Sequence, residues 1–105
     1  MSSLFDLKGR TALVTGSTRG LGRAMAFSLA QCGARVVLNY ANDRERGQSC
    51  QDSFKEAGFE SLLVGASVID EADVDRLVAE VESEFGGIDI LVVNATPEQP
   101  QNPIE

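Results

Sequence analysis

The sequence contains no histidine, two cysteines, one tyrosine and two lysines among its 105 residues. Without histidine, neither an imidazole general base nor a histidine zinc site can be assembled from this chain. Cys32 and Cys50 stand apart, outside any C-x-x-C pair, so they read as buried reduced thiols rather than as a disulfide or metal framework. Nine Lys and Arg face sixteen Asp and Glu, for a net charge of −7. That balance supplies no basic face for a phosphate backbone and points away from nucleic acid. No apolar run approaches the roughly 20 residues of a membrane span, and the opening MSSLFDLKGR lacks a signal peptide's basic and apolar regions. We therefore expect no membrane partner and a cytoplasmic location. All three prolines fall in 97–105, PEQPQNPIE, which reads as an open tail behind a single domain over 1–96.

Ahead of that tail the chain has the 43% hydrophobic and 24% charged make-up of an ordinary globular domain. Four short apolar runs, Thr11–Thr15, Arg35–Asn39, Ser61–Gly65 and Asp89–Val93, predict strands covered on both faces. Three helical patterns separate them. The first carries Leu21, Met25, Leu29 and Cys32 and stops at Gly33. The second opens at Asn42 with Glu45 three residues on, presents Cys50, Phe54 and Ala57, and ends at Gly58. The third opens at Asp70, carries Val74, Leu77, Val78, Val81 and Phe85, and stops at Gly86-Gly87. The order β-α-β-α-β-α-β predicts an α/β, doubly wound parallel sheet of four strands.

Between the first strand and the first helix lies Gly16-Ser17-Thr18-Arg19-Gly20-Leu21-Gly22. A helix N-terminus offers unpaired N–H groups and the positive end of a dipole, a natural anion site. Glycines there let the backbone bend and let a pyrophosphate approach where a Cβ would collide. Spaced as G-x-x-x-G-x-G and followed by no lysine, they do not make a nucleotide-hydrolysing P-loop. A tight structural turn is the competing explanation. The hydroxyls of Thr15 and Ser17 either reach toward a phosphate or hydrogen-bond the turn itself.

The stretch Thr15–Gly22, T-G-x-x-x-G-x-G, together with Phe85–Thr96, FGGIDILVVNAT, resembles the short-chain dehydrogenases/reductases, as does the start LKGRTALVTG. The similarity runs from Leu7 to about Ala95 and is strongest toward branches acting on 3-oxoacyl groups of acyl carrier protein and on sugars or polyols. The resemblance implies a Rossmann-type fold, binding of a nicotinamide dinucleotide, and hydride transfer with a small carbonyl or alcohol substrate. By position, Gly16, Gly20 and Gly22 would line the pyrophosphate, with Ser17, Thr18, Arg19 and Leu21 between them. Asn94 and Ala95 would lie beside the adenosine ribose, Asn94 alternatively capping nearby backbone. Two departures stand out. Val93-Asn94-Ala95-Thr96 replaces the family's Asn-Asn-Ala-Gly, and Ser67-Val68 replaces the Asp-Val that holds the adenine.

The second strand closes on Asn39-Tyr40-Ala41 without the carboxylate that binds both ribose hydroxyls of NAD. Arg19 in the loop, with Arg44 and Arg46 nearby, can meet a 2′-phosphate instead. NADP(H) is therefore expected over NAD(H), with Arg44 and Arg46 alternatively forming a solvated helix face. The family's catalytic serine and Tyr-x-x-x-Lys have no counterpart here: Tyr40 closes the second strand, and the lysines are Lys8 and Lys55. The expectation is the coenzyme-binding, N-terminal part of an oxidoreductase, inactive by itself and, at full length, a homo-oligomer. The alternative is a stand-alone nucleotide-binding or interaction module.

Overall fold

A computed structural model describes residues 6–94; Ala95, Thr96 and the tail 97–105 lie outside the described residues. Strand β1 (Thr11–Val14) is buried at every position, and β2 (Arg35–Tyr40) at its four central ones. Their side chains alternate across the sheet. Ala12, Val14, Val36 and Leu38 face one layer, where Ala26, Ala30, Cys50 and Phe54 meet them. Leu13 and Val37 face the other with Val64, Ala66, Leu77 and Val81. Near-continuous apolar strands are what a sheet sandwiched between helices requires.

Strand β3 (Ser61–Gly65) pairs with β2, β2 with β1, and β1 with β4 (Ile90–Val92), all parallel, in the order β3-β2-β1-β4. Helices α1 (Gly20–Gln31) and α2 (Arg44–Glu56) cover the face used while the chain steps outward from β1 to β3. Helix α3 (Glu71–Phe85) covers the opposite face as the chain returns past β1 to β4. Reversing direction and face together keeps every crossover of one hand, as twisted strands demand. The reversal places a crevice between β1 and β4 at the carboxyl ends of the strands, where such sheets bind ligands.

Helix α1 departs from its expected face. Its buried residues are Gly22, Ala26 and Ala30, and Leu21 is 70% exposed. Small residues four apart let the helix lie close on the sheet, leaving Leu21, Met25 and Leu29 to border an apolar groove with Val92. In α2 the inward stripe is Gly47, Cys50 and Phe54, and Ala57 is an exposed C-cap. The cap at its start is Asp43, not Asn42: the Asp43 carboxylate accepts the Arg46 amide at 3.0 Å. Helix α3 follows its periodicity, with Leu77 and Val81 buried. Asp70 accepts the amides of Ala72 and Asp73, and Gly86 closes the helix at a φ of 88°.

Edge-to-face contacts of Phe27 with Phe54 and Phe59, at 5.4 and 5.2 Å, seal the α1–α2 layer. At the amino ends of the strands, Arg35 donates to the Thr11 hydroxyl and the Phe85 carbonyl while its guanidinium lies over the Phe85 ring. The two edge strands depart from two-faced burial: β3 is buried only at Val64, and in β4 Leu91 is exposed and Ile90 and Val92 are half-buried. Of the thiols, Cys50 is buried and Cys32, which caps α1, is only partly so. Among the described residues no helix is long and apolar enough to cross a membrane.

Candidate functional site

The chain leaves β1 at Thr15 and must reverse within five residues to enter α1. Positive φ angles at Gly16 and Gly20, 59° and 61°, make that reversal. Helix α1 then starts without a side-chain cap and without an acidic residue in its first turn; Arg19, the N-cap residue, has an extended backbone. Its leading N–H groups and its dipole are therefore left to whatever anion approaches. Nothing lies within 4 Å of where a Cβ of Gly20 would be, so the backbone is open on that side.

Gly22 serves a different purpose. A Cβ there would overlap the Gly16 carbonyl and the Asn94 carboxamide nitrogen. Its absence lets Asn94 Nδ2 donate to the Gly16 carbonyl at 3.3 Å. The Asn94 amide donates to Thr15 Oγ1 at 2.8 Å, and the Thr15 amide to the Val92 carbonyl at 3.0 Å. The end of β4 is thus laced to the glycine loop across the crevice. Asn94 performs the backbone capping considered as its alternative role, at the crevice where the other role also requires it.

The opposite side of the loop is held by Asn39, only 2% exposed. Its Oδ1 accepts the Gly16 amide at 3.0 Å, and its Nδ2 donates to the Val64 and Ala66 carbonyls at 3.3 and 3.1 Å. Ser17, fully buried, exchanges bonds with the same residue: its hydroxyl accepts the Asn39 amide and its amide donates to the Asn39 carbonyl. The hydroxyls of Thr15 and Ser17 are therefore both engaged in holding the loop. Thr18 is buried beside them, and Gly16, Arg19 and Leu21 face solvent.

Through Asn39 the glycine loop connects to the end of β3. The Ala66 amide donates to the Tyr40 carbonyl. The Tyr40 ring fills the seam between α2 and β3, because a Cβ at Gly47 or Gly65 would come within 2.9 and 2.6 Å of it. Beyond Ala66, Ser67 and Val68 are half-buried on the turn into α3. Gly16, Gly22, Ser17, Asn39, Asn94 and, through Ala66, Ser67 are thus one connected set. Tyr40 contributes a carbonyl to it and spends its ring on packing. Ala95 lies outside the described residues.

Charge near the loop is mostly cationic. Arg46 pairs with Asp43 at 3.4 Å. The Asp43 carboxyl is held below its ordinary value, first by the Arg46 amide, which outweighs the opposing desolvation, and then by the hydrogen bond and charge of the Arg46 guanidinium and, least, by the Arg19 charge. Arg19 is thus close enough to the β2–α2 connection to be felt there. Cys50, whose Sγ donates to the Ser17 carbonyl at 3.7 Å, has its thiol pushed up by burial, partly offset by Arg23. Among the described residues, no group of three or more His, Cys, Asp or Glu could hold a metal ion.

Two residues escaped the sequence reading. Asp73 accepts the Ser67 amide at 2.8 Å, and Arg76 donates to the Gly65 carbonyl at 2.7 Å. An acid in a helix's first turn already has a sufficient local explanation in the helix dipole, so nothing in the pattern marks it as reaching outward.

Compared with known proteins, residues 10–105 match the family model described as short chain dehydrogenase. The chain is 41% identical over 91 residues to a short chain dehydrogenase of Emericella nidulans, covering 87% of this chain and 34% of that protein. It is 41% identical over 86 residues to a 3-oxoacyl-(acyl-carrier-protein) reductase of Staphylococcus aureus, covering 82% and 35%. A crystal structure of a dehydrogenase/reductase from Sinorhizobium meliloti superposes with a TM-score of 0.82 at 39% identity, covering 86% of this chain and 36% of that one. The chain therefore spans about a third of the length of the relatives it matches.

Proposed function

Because the chain belongs to the short-chain dehydrogenase family, whose members use nicotinamide coenzymes, we propose that it forms the coenzyme-binding part of an oxidoreductase acting on a carbonyl or alcohol, with NADP(H) preferred. The observation that carries this is the uncapped, acid-free start of α1 behind an open Gly16–Gly20 bend, a cradle that fits a diphosphate. Bound there, the coenzyme supplies or accepts the hydride.

The chain's own residues bind and orient. The leading amides of α1 neutralise the diphosphate charge. Asn39 and Asn94 hold the two walls of the loop, so the donors are preorganised before ligand arrives. Arg19, exposed at the entry to α1 and electrostatically coupled to the β2–α2 connection, is the cation for a 2′-phosphate. β2 ends on Tyr40 and is followed by Ala41, so no carboxylate there opposes that phosphate. Asp43 stands further along and is committed to capping α2 and pairing with Arg46. Two free thiols and an acidic surface suit the cytoplasm, which belongs to the same proposal.

Titration with NADPH and NADH tests the reading. NADPH is expected to bind about tenfold or more tightly than NADH, and Arg19→Ala to remove most of that difference. Equal affinity in the unsubstituted protein would remove the NADP preference; no binding of either would remove the coenzyme assignment.

A further inference from the structure

On the coenzyme reading just given, we propose that Asp73 is a positioning residue for the adenine end of the coenzyme, setting from α3 the turn Ser67–Asp70 that meets the base. In a sheet ordered β3-β2-β1-β4, a dinucleotide with its diphosphate on the β1–α1 loop and its ribose at the end of β2 carries its base onward to the end of β3. What stands there is Ala66-Ser67-Val68. The turn is closed by the Asp70 amide donating to the Ser67 carbonyl at 3.1 Å. Among the described residues, neither the Val68 amide nor the Ser67 hydroxyl takes part in a hydrogen bond. The turn thus offers an N–H donor beside a hydroxyl that can accept, the complement of adenine's N1 acceptor and N6 amino group.

This turn has no carboxylate of its own free to steady it, since Ser67 bears a hydroxyl and Asp70 is occupied with the Ala72 and Asp73 amides. Asp73 supplies one from one turn into the helix. Its Oδ2 accepts the Ser67 amide at 2.8 Å, and its Oδ1 lies 3.6 Å from Arg76 Nη2. Arg76 in turn grips the Gly65 carbonyl at 2.7 Å. Both ends of the segment from Gly65 to Ser67 are therefore tied to α3 by bonds to charged groups, the stronger kind. A turn held this way meets the base without first being ordered, and the saved entropy appears as affinity.

Isothermal titration of the full chain with two halves of the coenzyme separates this role from a general one. The probes are adenosine 2′,5′-bisphosphate (adenosine 5′-diphosphate if NADH is the better coenzyme) and reduced nicotinamide mononucleotide. Asp73→Ala is expected to weaken the adenosine half and the whole coenzyme alike, by about tenfold, and to leave the nicotinamide half within about twofold. Asp73→Asn keeps an oxygen for the Ser67 amide and is expected to stay within about threefold of the unsubstituted protein on every probe. Unchanged affinity of Asp73→Ala for the adenosine half would overturn the proposal and leave the coenzyme assignment standing. So would equal weakening of both halves, or an Asp73→Asn loss as large as that of Asp73→Ala. A chain that binds neither whole coenzyme would overturn the coenzyme reading itself, and this role with it.

Discussion

The side-chain oxygen of Asn39 accepts the Gly16 amide at 3.0 Å, joining the end of β2 to the first glycine of the loop. The same carboxamide donates to two carbonyls of the β3 end, so one buried side chain spans three successive strand ends. Asn39→Leu would leave those two carbonyls unpaired in the interior and take the partner from the Gly16 amide at the loop. The expected cost is about 2–4 kcal/mol, read as a lower denaturant midpoint at unchanged slope. Coenzyme affinity should fall with it, because the loop loses its inner wall.

Gly22 is held to zero side chain by the Gly16 carbonyl and the Asn94 carboxamide. Gly22→Ala is expected to destabilise by about 1–3 kcal/mol, despite alanine's better helix propensity. The same substitution at Gly58, with open space around it, should cost stability only through its φ of 87° and leave coenzyme titrations unchanged. Paired titrations of the two variants distinguish loop damage from general loss of stability.

Asp43 caps α2, and its carboxyl is held below the ordinary 3.8 chiefly by the Arg46 amide. A depressed folded value means that the unfolded chain takes up the proton first as acid is added. The contribution is therefore complete above the ordinary carboxylate value and is lost as pH falls through the lower folded one. Thermal melts down to about pH 2 should show a shallower acid loss in Asp43→Ala than in the unsubstituted protein.

The two thiols should separate by reactivity. Cys32 is partly exposed and Cys50 is buried with its thiol pushed up by desolvation. Mild alkylation is expected to modify Cys32 first, with Cys50 slower by about two orders of magnitude because it must await opening of the fold. Folded Cys50 keeps its proton to higher pH than the unfolded thiol. Its contribution is thus full below the ordinary 9.0 and is lost as pH rises through the raised value. Cys50→Ala should blunt that alkaline loss.

Much of this protein is local and therefore readable along the chain. Alternation of short apolar runs with 3.6-residue patterns names a parallel α/β sheet, since strands covered by helices on both faces carry apolar residues at successive positions. Strands β1 to β4 stand within about a residue of their expected bounds. The glycines between β1 and α1 mark a sharp bend into a helix, and Asp70 and Gly86 mark the ends of α3 because caps act within one turn.

Tertiary structure decided what distance along the chain conceals. Which stripe of α1 turns inward depends on how closely the helix approaches the sheet, so Gly22, Ala26 and Ala30 displaced the bulkier Leu21, Met25 and Leu29. Whether a hydroxyl or carboxamide meets a ligand or its own fold depends on partners more than twenty residues away, as with Ser17 and Asn39 or Thr15 and Asn94. The reach of Asp73 from α3 to the end of β3 is of the same kind. Periodicity encodes which residues share a face, but a hydrogen bond requires two groups to arrive at one point, and only the packed sheet and its helices bring them there.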